Sequence, residues 1–356
     1  MMARAWPGVV EHYAEWLPVT GVTPRITLLE GNTPLIRSEH LAQRLGDGVA
    51  LYFKYEGVNP TCSFKDRGMT MALSKAVEEG AKVTICASTG NTSAAAAAYS
   101  TRAGIESVVL LPDGYVALGK LAQALAYGAR TLAIDGDFDD CLALVKAIAE
   151  SYPVALVNSL NPYRLQGQKT AAFEICDRLE RAPDFHALPV GNAGNITSYW
   201  MGYTEYHEAG VVDARPAMLG FQAEGACPIV AGEVCERPET VATAIRIGNP
   251  ARWQEAATAL DESGGRIEAV TDEEILEAYR ELSGEEGIFC EPASAASWAG
   301  LKKLAAEGFF EGEECTIAAT LTGHGLKDPD RAVEMAEEPE KAPNDLETVA
   351  KMLGLA

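Results

Sequence analysis

From Leu51 onward, short apolar runs rich in β-branched residues alternate with longer segments of helical periodicity. The short runs are LYFKYE (51–56), VTICAS (83–88), SVVLLP (107–112), ARTLAID (129–135) and PVALVNS (153–159). Helical spacing fills 65–80, 92–103, 118–127, 138–151 and 165–180. A second series follows: strand HALPVG (186–191), helix 195–209, strands AMLGFQAEG (217–225) and RIEAV (266–270), helices 272–283 and 293–307, and strand CTIAATLTG (315–323). The stretch 226–265 is mixed. Before residue 50 the chain predicts a short helix at 12–16, an extended piece, a turn at Glu30-Gly31-Asn32-Thr33-Pro34 and a helix at 40–45. After 330 comes an acidic linker and a helix at 344–353, expected to pack on the body or on a partner subunit.

Alternation of this kind predicts an α/β fold of βαβ units, with two open, twisted, mainly parallel sheets flanked by helices. The expected division is a smaller α/β domain at 51–155 and a larger one made of 1–50 and 156–356, with a ligand cleft between them. In such sheets ligands bind beyond the carboxyl ends of the strands, so the strand-to-helix loops are where chemistry is sought.

Four of those loops are chemically unusual. Asn59-Pro60-Thr61-Cys62-Ser63-Phe64-Lys65-Asp66-Arg67-Gly68 opens on a turn, with Ser63 as the expected N-cap of the following helix. Lys65 then falls in the first helical turn, where the positive end of the helix depresses an amine pKa and suits it to nucleophilic work. On spacing alone a surface lysine is the commoner reading. Ala87-Ser88-Thr89-Gly90-Asn91-Thr92-Ser93 gathers hydroxyl and amide groups at a helix start, which serves either capping or the binding of a carboxylate and a phenolic oxygen. Val190-Gly191-Asn192-Ala193-Gly194-Asn195-Ile196 lets successive N–H groups converge on a phosphate. It is neither a dinucleotide fingerprint nor a P-loop. Thr320-Leu321-Thr322-Gly323-His324-Gly325 ends the last strand and offers the Thr322 hydroxyl to a ring nitrogen, while His324 reads as structural.

Together these loops read as a site for pyridoxal 5'-phosphate. Lys65 binds the aldehyde with Phe64 beside it, Gly191, Asn192, Ala193, Gly194 and Asn195 hold the phosphate, Asn91 meets the ring hydroxyl, and Thr322 meets the ring nitrogen.

Composition narrows the classes. The chain has 356 residues and a formal net charge of −22, which opposes binding to a nucleic-acid backbone or an anionic membrane. The acidic excess gathers at 273–286 and 334–340, so an anionic substrate requires a locally positive site. The first 25 residues lack a signal-peptide core and no apolar stretch reaches membrane-spanning length, so a cytoplasmic location is expected. The eight cysteines and five histidines show no metal-ligand spacing; no metal is expected, and the cysteines read mostly as core thiols.

The motifs NPTCSFKDRG, ASTGNTSAAAAAY, VNSLNPYRLQGQKT, LPVGNAGNI, ATAIRIGNP, EPASAAS and TLTGHGLKDP carry a resemblance that runs over residues 29–330. They resemble the bacterial threonine synthase family, within the fold type II (tryptophan synthase β-like) pyridoxal-phosphate enzymes. One departure is Cys62, where that family usually carries glycine. The resemblance implies O-phospho-L-homoserine as substrate, L-threonine and phosphate as products, and a homodimer. It places Ser88, Thr89 and Thr92 on the substrate carboxylate and nearby phosphate, and Asn158, Ser159 and Arg164 on the substrate phosphate. An arginine suits that role because a guanidinium grips phosphate oxygens bidentately. Lys120 reads as a weaker cation. A threonine or serine dehydratase of the same fold and a non-enzymatic phosphometabolite binder are the competing readings.

Overall fold

The computed structural model describes residues 5–114, 118–336 and 338–355, without the side chains of 118–120. The expected Lys120 side chain thus lies outside the described residues. The chain opens with α1 (Val9–His12) and one 3-10 turn, Ala14–Trp16, where a single helix at 12–16 was expected. Strands β1 (Leu35–Arg37) and β2 (Val49–Tyr55) follow, then α2 (Lys65–Glu78). The next elements are β3 (Val83–Ala87), α3 (Asn91–Ala103), β4 (Glu106–Pro112), α4 (Leu118–Ala126), β5 (Arg130–Ile134), α5 (Phe138–Ser151) and β6 (Ala155–Leu156). Then come α6 (Pro162–Leu179), β7 (Phe185–Pro189), α7 (Gly194–Glu208), β8 (Ala217–Ala223), α8 (Pro228–Ala231), α9 (Trp253–Ser263) and β9 (Arg266–Val270). The last are α10 (Asp272–Gly284), α11 (Pro292–Ala306), β10 (Cys315–Leu321), α12 (Pro329–Met335) and α13 (Leu346–Met352).

Two sheets form, in the orders β1-β2-β10-β7-β8-β9 and β5-β4-β3-β6. All pairings are parallel except β1 with β2. The two-residue period of a strand shows directly in β10: Ile317, Ala319 and Leu321 join the core under α10 and α11, whereas Ala318 faces the core under α6 and α7. Both faces of the large sheet are therefore covered, and the apolar clusters around Tyr99 and Cys141 sandwich the small sheet in the same way.

One expectation needs correction, and two others gain detail. β2 sits in the six-stranded sheet, paired to β10 over seven residues, so residues 51–55 do not join the smaller sheet as the boundary at 51 implied. An isolated apolar strand carries no mark of which sheet it enters. The segment 226–265 contains α9, whose buried face is Ala256, Ala259 and Leu260, too alanine-rich to stand out as a periodic apolar stripe. α13 buries no residue on this chain, and Leu346 and Leu353 are exposed. No helix among the described residues is long and apolar enough to cross a membrane.

Candidate active site

β2, β10 and β7 are neighbours in the large sheet, and each ends at one of the unusual loops; β3 of the small sheet ends at the remaining one. The four loops meet in a cleft of about 1830 Å³. Every site residue expected from the sequence lines it: Phe64, Lys65, Ser88, Thr89, Asn91, Thr92, Asn158, Ser159, Arg164, Gly191 to Asn195, and Thr322.

The lysine loop is held from two sides. Asp66 closes it on itself, accepting from the Thr61 N–H at 2.7 Å and the Thr61 hydroxyl at 2.5 Å. Against the end of β10, the Phe64 N–H donates to Thr322 O at 2.9 Å and the His324 N–H to Cys62 O at 3.0 Å, with an antiparallel bridge between Ser63 and Gly323. That bridge keeps Ser63 extended, so Phe64 rather than Ser63 takes the cap position and α2 begins at Lys65. The Lys65 Nζ lies 4.2 Å from the Phe64 ring centroid. Its side chain is half-buried at the cleft wall and hemmed in by protein. Burial, and secondarily the Arg164 guanidinium, bring its pKa down to about 7, against the pull of Glu291. These causes take precedence over the helix end invoked from the sequence.

The β7–α7 loop has the geometry of an anion nest. Ala193 adopts φ +62°, and α7 starts at Gly194, so N–H groups at the loop and the helix end face the cleft. Gly191 is closely approached, since a Cβ there would stand 3.0 Å from Ile245 Cα and crowd it. Both polar atoms of the Asn195 side chain are buried without a protein partner. Orphaned polar atoms, a nest and a neutralisable amine in one cleft fit pyridoxal phosphate, with Lys65 on the aldehyde and the nest on the phosphate.

The expected ring partners, Asn91 and Thr322, are joined by a residue not singled out in the sequence. Glu291 is buried before α11; its carboxylate accepts from Asn91 Nδ2 at 3.0 Å and from Thr322 Oγ1 at 3.2 Å. Ser294, one turn into α11, lies 3.0 Å from Thr322 Oγ1 and takes the Gly323 N–H at 3.0 Å. Glu291-Pro292 at a helix start was the available signal, but it reads as an ordinary proline-initiated helix. Burial pushes the Glu291 pKa up, while Asn91, Lys327, Thr322 and Lys65 oppose the shift.

On the substrate side, Arg164 is buried, its NH1 donating to Val157 O at 3.2 Å while Nε has no protein partner. Burial lowers its pKa to about 10. Asn158 is already engaged: its amide exchanges hydrogen bonds with Ala87 O at 2.9 Å and Ala87 N at 3.0 Å, clipping the loop before α6 to the end of β3. His324 lies outside the cleft lining, stacked at 6.1 Å on Tyr55, and its Nδ1 accepts from the Leu326 N–H at 3.1 Å, in keeping with a structural role. Lys327 is a further cation in the lining, donating to Thr61 O at 3.0 Å and to Gln123 Oε1.

The pattern of the pyridoxal-phosphate dependent enzymes matches residues 26–323. Threonine synthases from Synechocystis sp., Halalkalibacterium halodurans and Methanocaldococcus jannaschii are 60%, 58% and 52% identical to the chain, over 99%, 96% and 97% of it and 92%, 95% and 87% of their own lengths. Among solved structures, cysteine synthase from Entamoeba histolytica superposes with a TM-score of 0.75 at 18% identity, covering 99% of this chain and 97% of that one. Maize serine racemase gives 0.73 at 20%, covering 92% and 97%. These structures share the fold. With that fold, a cleft that fits the cofactor, and relatives alike over nearly their whole length, the chain belongs to the threonine synthase family of pyridoxal-phosphate dependent enzymes.

Proposed function

We propose that the protein converts O-phospho-L-homoserine and water into L-threonine and inorganic phosphate. The observation that carries this reading is the presence of two separate anion-receptive regions in the same cleft as Lys65. One is the 191–195 nest, suited to the cofactor phosphate; the other is the buried guanidinium of Arg164 with its free Nε, suited to a phosphate on the substrate. A dehydratase acting on threonine has no use for the second.

When bound, the cofactor supplies an electron sink that makes hydrogens on the substrate carbons next to the amine acidic. Lys65 does the proton work. With a pKa brought to about 7, its amine takes the Cα proton and then a Cβ proton, which permits loss of phosphate from Cγ. Cγ then takes a proton and becomes the methyl carbon, water adds its hydroxyl at Cβ and gives up a proton, and Lys65 returns a proton to Cα. Ser88, Thr89 and Thr92 hold the substrate carboxylate and the neighbouring phosphate; Arg164 and Ser159 hold the phosphate. Asn158, its amide tied to Ala87, acts chiefly by fixing the loop that carries Ser159.

The finer parts of the proposal are a homodimer, a cytoplasmic location, and movement of the β3–β6 sheet with its helices as the smaller unit that closes on substrate. Identical free and ligand-bound structures refute the last. Incubating the holoenzyme with O-phospho-L-homoserine tests the reaction: threonine and phosphate are expected in equal amounts. Release of 2-oxobutyrate and ammonia from threonine, with no phosphate from phosphohomoserine, favours the dehydratase; no turnover of either compound favours a binding protein.

A further inference from the structure

Two thiols that the chemistry above does not use share one turn of chain at the wall of the cleft. Cys227 stands at the N-cap of α8, and Gly232, at φ +76°, ends that helix by turning the chain back, with the Glu233 N–H donating to Pro228 O at 3.2 Å. The reversal returns Cys235 to the turn that Cys227 leaves. Cys227 Sγ donates to Glu224 O at 3.0 Å and Cys235 Sγ to Gly225 O at 3.7 Å, so the two sulfurs sit on consecutive carbonyls. Both are free thiols and half-buried, whereas Cys86, Cys141, Cys176, Cys290 and Cys315 are buried. Burial first, then the charge that Cys235 can carry, then Glu224, push the Cys227 thiol up.

The pair is coupled to the cleft through Cys235, which belongs to its lining. The Cys235 N–H donates to Gly248 O at 2.9 Å, and a Cβ on Gly248 would stand 1.9 Å from Cys235 O, so the two backbones touch. Gly248 lies in the 243–251 stretch of the lining, and Ile245 of that stretch is the residue that abuts Gly191 of the nest. Movement of Cys235 is thus two contacts away from the loop read as the phosphate site.

We propose that Cys227 and Cys235 are a modification site, which a small neutral peroxide converts into an intramolecular disulfide that strains the wall behind the nest. Cys235, open to the cleft, attacks as its thiolate: the O–O bond breaks, one oxygen stays on sulfur as a sulfenic acid, and the other leaves as water. The Cys227 sulfur then attacks that sulfur, the S–S bond forms, and the hydroxyl departs as water with the Cys227 proton. The two sulfurs lose two electrons in all, and one peroxide becomes two waters. A neutral oxidant suits the site because Glu224, Glu233, Glu236 and Glu239 of the same segment outnumber Arg237 and Arg246 and repel an anionic disulfide such as oxidised glutathione. Joining the sulfurs draws Cys235 off Gly225 O, and Gly248 follows its backbone, which loosens the contact of Ile245 with Gly191. This last step rests on the reading of 191–195 as the nest; neither step depends on the reaction proposed above.

The test is to treat the holoenzyme with hydrogen peroxide, then measure its intact mass and map its peptides without reduction, cleaving after Glu233 to separate the two cysteines. The expected result is loss of the mass of two hydrogens per chain, a link between the Cys227 and Cys235 peptides, reversal by dithiothreitol, and no link in Cys227→Ser or Cys235→Ser. Oxidised wild type should also release pyridoxal phosphate several-fold faster than the reduced protein, a difference absent from both variants. Wild type that keeps both thiols free, gains oxygen at Cys235 without a link, or links only between chains overturns the proposal without recourse to a variant. A link that forms and leaves cofactor release unchanged overturns the transmission to the nest.

Discussion

A lysine amine with a pKa of about 7 carries its free form into the neutral range, and the causes are local: burial first, then Arg164, with Glu291 opposing. Capture of the cofactor aldehyde by apoenzyme should therefore rise with pH and level above about 7, followed by absorbance after mixing; a rate that keeps climbing towards pH 10 contradicts this. The sign for stability is the same. Between about 7 and the ordinary 10.5, the unfolded chain holds a proton on this lysine that the folded apoenzyme lacks, so the Lys65 contribution to stability improves as pH rises through that window. Lys65→Ala should abolish both the visible band of the loaded enzyme and turnover. Three residues earlier, Cys62 adopts φ +66°, a region glycine enters freely and where a side chain costs roughly 1–2 kcal/mol. Cys62→Gly relieves that strain but adds freedom to the unfolded chain worth about 0.4–1 kcal/mol, so the net gain should lie between about 0 and 1.6 kcal/mol. Cys62→Val, branched at Cβ, should lower stability by about 1–2 kcal/mol relative to cysteine; equal denaturation midpoints for all three proteins contradict the strain. Lys65, Asn91 and Thr322 were legible because each sits in a loop of unusual composition. Glu291 was not, since its significance comes from α3 and β10 reaching it from some 200 and 31 residues away.

At the scale of elements, the lysine helix is fixed by a buried charge network. Arg67 donates from Nε to Glu56 at 2.6 Å and from NH1 to Glu174 at 2.6 Å, and Lys54 donates to Glu174 at 2.6 Å. These contacts tie β2, α2 and α6 together behind the site. Burial alone would raise the Glu174 pKa, but Arg67 and Lys54 hold it down at about 2, so its stabilisation is present above the ordinary 4.5 and is lost as pH falls towards 2. Arg67→Ala leaves the buried Glu56 carboxylate without its cation and Glu174 with Lys54 alone, and should cost about 3–5 kcal/mol in denaturant unfolding; a loss below about 1 kcal/mol contradicts the network's structural role. α2 and α6 also touch backbone to backbone at Gly167, where a Cβ would lie 1.9 Å from Arg67 O. Most elements were legible from periodicity, with ends displaced by a few residues. β1 was not, being three residues long and antiparallel at the sheet edge, and the network was not, because a lysine in a strand and an arginine in a helix carry no mark in the sequence of being buried and paired.

For the whole molecule, the net charge of −22 makes the site's local polarity decisive. Lys65, Arg164 and Lys327 line the cleft and suit a phosphorylated cofactor and an anionic substrate, although acidic residues such as Glu291 and Asp328 share the lining; further acidic charge lies on outer helices such as α10. That the strands run mainly parallel was implied by the βαβ rhythm, and the parallel arrangement of β2, β10 and β7 gathers loops far apart in sequence at one edge. Which strand joins which sheet required the structure, as β2 shows. The account's central claim is that phosphate leaves by cleavage of the Cγ–O bond and that solvent oxygen enters at Cβ. The most direct measurement is to run the reaction on O-phospho-L-homoserine in oxygen-18 water and weigh the products by mass spectrometry. One solvent oxygen in the threonine hydroxyl with unlabelled phosphate is the predicted result; label in the phosphate with homoserine as the other product would contradict it.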